Sequence, residues 1–83
     1  MGDMMAICEQ TKDDIYNRIG KNIKKYRKLN KMTQRELAYK SSVSENLIAK
    51  LESKTHQTIS IDTLDIIADS LGVDITLLLE KDL

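Results

Sequence analysis

A short stretch near the middle of the chain, SENLIAKLES at residues 44–53, combines side chains that can recognise the edges of nucleic-acid bases. At 100° per residue its polar and small side chains share one helical face. These are Glu45, Asn46, Ala49, Lys50 and Ser53. Asparagine can pair with adenine, lysine can donate to guanine, glutamate can accept from the cytosine amino group, and alanine can contact a thymine methyl.

Capping signals predict how this stretch is positioned. The sequence TQRE at residues 33–36 is a capping box that begins one helix, with Leu37, Ala38 and Ser41 on its buried side. After the connection SSVS, Ser44 begins the next helix, from about Glu45 to Ser53. Two helices of about eight residues joined by a tight turn form a helix-turn-helix, which presents its second helix to the DNA major groove.

Three further helices are predicted around this pair. The first runs from Thr11 to a left-handed Asn30, and its Gly20 indicates a close helix contact. The fourth begins after Ser60 and ends at Gly72. Its predicted core positions are Ile61, Leu64, Ile67, Ala68 and Leu71.

Asp74 begins a short last helix, ITLLLE, which completes the count of five. We therefore expect an all-α domain over residues 11–83, preceded by a flexible tail at residues 1–10.

Composition excludes several classes of protein. The 83 residues include no proline, phenylalanine or tryptophan, and the single cysteine, Cys8, cannot form an internal disulfide, which fits a reducing cytoplasm. The longest apolar run, ITLLL, is far shorter than a membrane span. His56 has no second ligand at metal-binding spacing, and no nucleophile with a base or glycine-rich phosphate loop is present. We therefore expect no metal, no cofactor, no membrane and no enzymatic activity.

Charge is strongly segregated along the chain although the formal net charge is zero. Residues 15–56 carry eleven Lys or Arg against three Glu, whereas residues 57–83 carry one Lys against six Asp or Glu. A basic middle between acidic ends leaves one surface able to bind phosphate.

The chain resembles the phage repressor and Cro family of helix-turn-helix proteins, also called the XRE family. The resemblance runs from IGKNIKKYRKLNKMTQRELAYKSSVSENLIAKLE to ISIDTLDIIADSLGVDITLLL, which is most of the chain. It implies a compact five-helix, lambda-repressor-like domain that regulates transcription by binding an operator, usually as a dimer on a pseudo-palindrome. Repression is the expected mode of control.

The resemblance also implies roles for individual residues. Bases would be read by Glu45, Asn46, Ala49 and Lys50. The DNA backbone would be contacted by Gln34, Arg35, Ser44, Ser53 and Lys54. Arg27 and Glu52 match a buried ion pair between the first and third helices.

Three positions depart from the family pattern. Ser42 occupies a turn position that usually carries glycine, and the loop SKTHQTI lacks the usual glycine and proline. Glu45 is an unusual lead contact, and its alternative interpretation is a carboxylate favoured by the helix dipole.

The last helix is too short to bury all of its apolar residues, so an edge should remain for a two-fold contact. The predicted contact residues are Ile75, Leu78 and Leu79, whose alternative role is to complete the core. The alternative function is a protein-interaction module, an antitoxin or an adaptor, which the acidic C-terminal third and this apolar edge would favour. The two hypotheses differ in whether the protein binds duplex DNA at low salt.

Overall fold

The computed structural model describes residues 14–81, and within that range the chain forms five helices and no strand. They are α1 (Ile15–Leu29), α2 (Gln34–Ser41), α3 (Glu45–Glu52), α4 (Ile61–Leu71) and α5 (Ile75–Leu79). The predicted all-α, five-helix architecture is confirmed. The predicted tail and helix start at Thr11 lie outside the described residues. No described helix combines the length and the apolar character needed to cross a bilayer.

The two ends of α1 are fixed by side chains. Asp14 is the N-cap, and its Oδ1 accepts from the Tyr16 backbone N–H at 2.7 Å. At the other end the prediction of a left-handed Asn30 is wrong, because φ is −87° there and the left-handed residue is Lys31. The Asn30 side-chain amide donates to the carbonyls of Tyr26 (2.9 Å) and Leu71 (3.0 Å). These bonds hold Asn30 near the helical conformation, so the chain reverses one residue later.

The predicted caps of α2, α4 and α5 are present. Thr33 and Glu36 exchange the two reciprocal bonds of a capping box, at 3.0 and 2.7 Å. Ser60 caps α4 through the Thr63 N–H, and Gly72 ends that helix at φ 72°. Asp74 caps α5; its bonds from the Thr76 side chain and backbone hold the pKa of this carboxyl below its usual value.

The core lies where α1 packs on α3 and α5, and where α2 packs on α3 and α4. It consists of buried aliphatic residues from all five helices: Ile19, Ile23, Leu37, Ala38, Ile48, Leu51, Leu64, Ile67, Ala68, Leu71 and Leu78. The prediction that Ile61 belongs to the core is wrong, since its side chain is 72% exposed. Ile61 is the first residue of α4, and the buried stripe of that helix begins one turn later, at Leu64.

Helix α5 is attached to α1 by side chains that satisfy its terminal carbonyls. The buried Asn22 donates from Nδ2 to the carbonyls of Leu78 and Glu80, both at 2.9 Å. Arg18 donates from Nη1 to the Leu79 carbonyl at 3.3 Å. The last carbonyls of a helix have no partner within it, so these bonds fix where α5 ends.

Candidate nucleic-acid interface

Helix α3 turns one face into the core and leaves the other in solvent. Ile48 and Leu51 are buried, whereas the long side chains on the opposite face are exposed. These exposed side chains are Glu45, Asn46 and Lys50, and the smaller Ala49 between them is half-buried. None of the three exposed side chains makes a hydrogen bond or an ion pair with another residue in the range 14–81. The structure thus collects the four predicted base-contact residues on one accessible surface, which we call the α3 face.

The turn before α3 is tight because Ser42 adopts the left-handed conformation, with φ 59° and ψ 31°. This conformation costs a residue with a Cβ about 1–2 kcal/mol, as the departure from glycine predicts. The N–H of Val43 donates back to the Ala38 carbonyl at 3.1 Å. Ser44 then caps α3, its Oγ accepting from the Leu47 N–H at 3.0 Å. The turn therefore sets where α3 begins relative to α2.

A buried ion pair fixes the other end of α3. Arg27 donates from Nε and Nη2 to the carboxylate of Glu52, at 2.8 and 2.9 Å, and the two side chains are 9% and 3% exposed. Gln34 adds a bond to the same carboxylate at 3.1 Å, and Arg27 Nη1 donates to the Met32 carbonyl at 2.7 Å. One cluster therefore ties the last residue of α3 to α1, to α2 and to the segment between them.

Gly20 lets the backbones of α1 and α3 touch. A Cβ at this position would lie 1.7 Å from the carbonyl oxygen of Leu51 and 2.6 Å from its carbonyl carbon. The predicted close helix contact is confirmed, and it falls next to the ion pair at the C-terminal end of α3.

The five predicted backbone-contact residues lie at the start of α2 and at both ends of α3. Arg35 and Lys54 are exposed cations, whereas Gln34 is half-buried and already donates to the ion pair. Ser44 uses its oxygen as the α3 cap, which leaves the hydroxyl proton able to donate. Ser53 instead directs its hydroxyl at the carbonyl of an α3 residue, 2.8 Å away. Arg35, Ser44 and Lys54 are therefore better placed for phosphate than Gln34 and Ser53.

Tyr39 was not singled out from the sequence, yet its side chain is 89% exposed beside Arg35 on the outer face of α2. The helical period contained this signal, because Leu37, Ala38 and Ser41 point to the core and leave Tyr39 on the opposite side. A phenol can donate to an anionic oxygen, so Tyr39 adds a candidate phosphate contact.

His56 contacts the start of α1. Its Nδ1 pairs with the carboxylate of Asp14, and its backbone N–H donates to Asn17 Oδ1 at 3.0 Å. In the part of the chain that the structure describes, no group of three potential metal ligands occurs. The sequence held no signal for this pair, because 42 residues separate its members.

The bond from His56 is the largest of the effects that hold the pKa of Asp14 below its usual value. A carboxyl whose pKa falls on folding stabilises the protein above its unfolded pKa, and this contribution is lost as pH falls through the lowered value.

The predicted apolar edge of α5 needs a correction. Leu78 is fully buried in its own chain, so its side chain is not available to a second copy. Asn22 also donates to the carbonyl of this residue, which ties this end of α5 to α1. Ile75 and Leu79 are half-buried and border the solvent.

The sequence matches the helix-turn-helix family over residues 23–78, which is more than half of the chain. Among curated proteins, none matches the sequence at a significant level.

Three solved structures are similar. SinR, the master regulator for biofilm formation, solved in complex with DNA, has a TM-score of 0.71 and 32% identity, over 75% of this chain and 98% of SinR. A point mutant of the restriction-modification controller protein C.Esp1396I has a TM-score of 0.72 and 29% identity, over 80% of this chain and 82% of its own.

The third similar structure, the hypothetical transcription factor NHTF from Neisseria, has a TM-score of 0.76 over 81% of this chain and 76% of its own, and at 24% identity it shows the fold alone. The family match, the SinR likeness and the α2–α3 geometry agree. The chain belongs to the XRE family of helix-turn-helix proteins, which are DNA-binding transcription regulators.

Proposed function

We propose that this protein represses transcription by binding a specific, pseudo-palindromic DNA operator as a homodimer. The observation that carries the proposal is the α3 face. Its long polar side chains stand in solvent without partners among the described residues, while the rest of α3 is held rigidly by the core, Gly20 and the ion pair. Because the α3 backbone is already ordered, binding to base edges would have to order only the side chains. SinR, solved with DNA, supports the proposal by similarity.

Each residue of the α3 face has a proposed partner in the major groove. Asn46 would bond the adenine edge, Lys50 would donate to guanine, and Glu45 would accept from a cytosine amino group. Ala49 would contact a thymine methyl and let the helix approach closely. The phosphates repel a glutamate, and a hydrogen bond from a cytosine amino group would offset this repulsion. Glu45 would therefore exclude sequences that lack a cytosine at its position.

Phosphate contacts would set the register of α3 on the duplex. The residues that would make them are Arg35 and Tyr39 on α2, Ser44 at the start of α3 and Lys54 after its end. Gln34 and Ser53 would contribute mainly indirectly, by holding the Glu52 carboxylate and the Lys50 carbonyl in place. Such contacts carry no sequence information but dominate the salt dependence of binding.

Dimerisation would use the half-buried residues Ile75 and Leu79 of α5 and the groove beside them. That groove is lined by Asp65, Ile66, Asp69, Val73, Asp74 and Ile75. To bind a pseudo-palindrome, a two-fold contact there would have to place the two α3 helices about 34 Å apart, in successive major grooves. This contact would also keep the three aspartates of the groove away from the phosphates.

The same groove supports the second candidate function, an antitoxin or adaptor that binds another protein. Three of its six lining residues are aspartates, so a partner with a basic and apolar surface would fit it. Under this alternative, the protein would bind a partner and would fail to bind duplex DNA at low salt.

Selection of bound duplexes from a random-sequence pool at fixed salt tests the proposal. We expect enrichment of two inverted half-sites whose centres are about 10 base pairs apart, which is the spacing of a two-fold dimer on one side of the duplex. The same selection without protein is the control. Recovery of no enriched sequence, even at low salt, would favour the protein-interaction function instead.

A further inference from the structure

The loop between α3 and α4, residues 53–60, has a backbone that it would not adopt by itself. Lys54 and His56 have φ values of 63° and 58°, in the left-handed region that favours glycine. Two such residues within three positions give the loop a conformation that contacts elsewhere must hold. The sequence places no glycine in this loop to relieve the strain.

The first half of the loop is anchored to α3. The hydroxyl of Ser53 donates to the Lys50 carbonyl at 2.8 Å, and the hydroxyl of Thr55 donates to the same carbonyl at 3.2 Å. The two hydroxyl oxygens are also 3.0 Å apart. Lys54 lies between these two anchors, and its exposed side chain makes no ion pair with residues 14–81.

The second half is anchored to the first turn of α1 through His56. Asn17 Oδ1 accepts the His56 backbone N–H at 3.0 Å, and the Asp14 carboxylate pairs with the imidazole Nδ1. The Tyr16 ring meets the imidazole edge-on, with centroids 5.1 Å apart and planes at 74°. The N–H, the side-chain nitrogen and the ring of one residue are therefore all engaged by one helical turn.

Asp14 serves both elements with a single carboxylate. Its Oδ1 caps α1 by accepting from the N–H groups of Tyr16 and Asn17, at 2.7 and 3.4 Å, while its Oδ2 faces the imidazole. The carboxylate is 16% exposed as a side chain and is fixed by the cap. The fixed carboxylate can therefore determine the orientation of the His56 imidazole.

We propose that Asp14 and Asn17 are positioning residues for DNA binding: they hold His56 so that the neighbouring Lys54 is presented to a phosphate. This inference rests on the proposed function, because it concerns how the same surface meets the DNA backbone. The structural reason is that Lys54 and His56 share a short stretch of left-handed backbone, and releasing His56 leaves this stretch held only by the bonds of Ser53 and Thr55 to α3.

A double-mutant cycle on the full chain tests this role. The probe is a random-sequence duplex of about 20 base pairs, titrated from about 50 to about 200 mM salt. Lys54→Ala should weaken binding about five- to tenfold and lower the salt slope by about 0.9, the contribution of one phosphate. Asp14→Ser and Asn17→Ala should each weaken binding about threefold or more with Lys54 present, and lower the slope in the same direction. In the Lys54→Ala background they should cause no further loss.

A purely structural role would give a different pattern. Additive losses in the Lys54→Ala background, or unchanged affinity and slope in the single variants, would overturn the inference. Serine is as good an N-cap as aspartate but is too short to reach His56, so Asp14→Ser keeps α1 capped and completes the test even if Asn17→Ala fails to fold. Asp62→Ser, the same change at an exposed position of α4, is the matched control and should bind like wild type.

This experiment distinguishes a failure of the proposed function from a failure of the positioning role. Failure of the wild-type protein to bind the duplex at low salt would overturn the proposed function and this inference together. Binding by wild type with no effect of the α1 variants would overturn only the positioning role.

Discussion

Replacing Glu52 by glutamine is expected to lower the free energy of unfolding by about 3–5 kcal/mol, the cost of breaking a buried ion pair on one side. The variant leaves the guanidinium of Arg27, 9% exposed as a side chain, without its counter-charge. It also turns one acceptor of the bidentate pair into an amide donor that faces donors from Arg27 or Gln34. Since a domain of this kind is stable by about 5–15 kcal/mol in total, urea denaturation should show a large fall in the midpoint.

Glu45→Gln is the matched control, because it makes the same chemical change in the same helix at an exposed site. It removes only a favourable interaction with the helix dipole, so we expect a loss below about 1 kcal/mol. A loss for Glu52→Gln no larger than that of Glu45→Gln would show that the pair does not hold α3 in place.

Replacing Gly20 by alanine is expected to destabilise the domain by about 3 kcal/mol, at the upper end of the usual cost of overpacking. Helix propensity alone would favour alanine by about 1 kcal/mol. The added Cβ would however lie 1.7 Å from the Leu51 carbonyl oxygen, which is backbone and cannot rotate away. Helices α1 and α3 must separate, so DNA affinity should fall with stability.

Gly72→Ala separates steric overlap from backbone strain. Gly72 has φ 72° and nothing within 4 Å of an added Cβ, so its alanine variant pays only the left-handed cost of about 1–2 kcal/mol. Thermal or urea unfolding of both variants gives the comparison. A Gly20→Ala protein that is as stable as wild type would mean that the α1–α3 contact is looser than the structure shows.

Local signals in the sequence predicted much of this fold. Thr33, Ser44 and Ser60 begin helices because a side-chain oxygen can satisfy an N–H that has no partner inside the helix, and Gly72 ends one because it tolerates positive φ. The outward face of α3 follows from helical periodicity, which is also a local property of the sequence. Each of these features is decided within about one turn of chain.

Several features that depend on distant neighbours were missed. The Asp14–His56 pair joins the start of α1 to the loop after α3, and no local pattern marks it. Leu78 was assigned to a dimer contact because its own helix could not bury it, but it packs into the core formed by the other helices. Ile61 satisfied the helical period but lies beyond the end of the core. Periodicity gives the direction of a side chain and cannot show what lies in that direction.

The central claim is that the outward face of α3 reads DNA bases, and Asn46→Ala tests it most directly. Its affinity should be measured on the selected operator and on a random duplex at the same salt concentration. We predict a loss of about 1–3 kcal/mol on the operator with unchanged affinity for random DNA, whereas Lys54→Ala should lose affinity equally on both. An equal loss for Asn46→Ala on the two duplexes would contradict the claim.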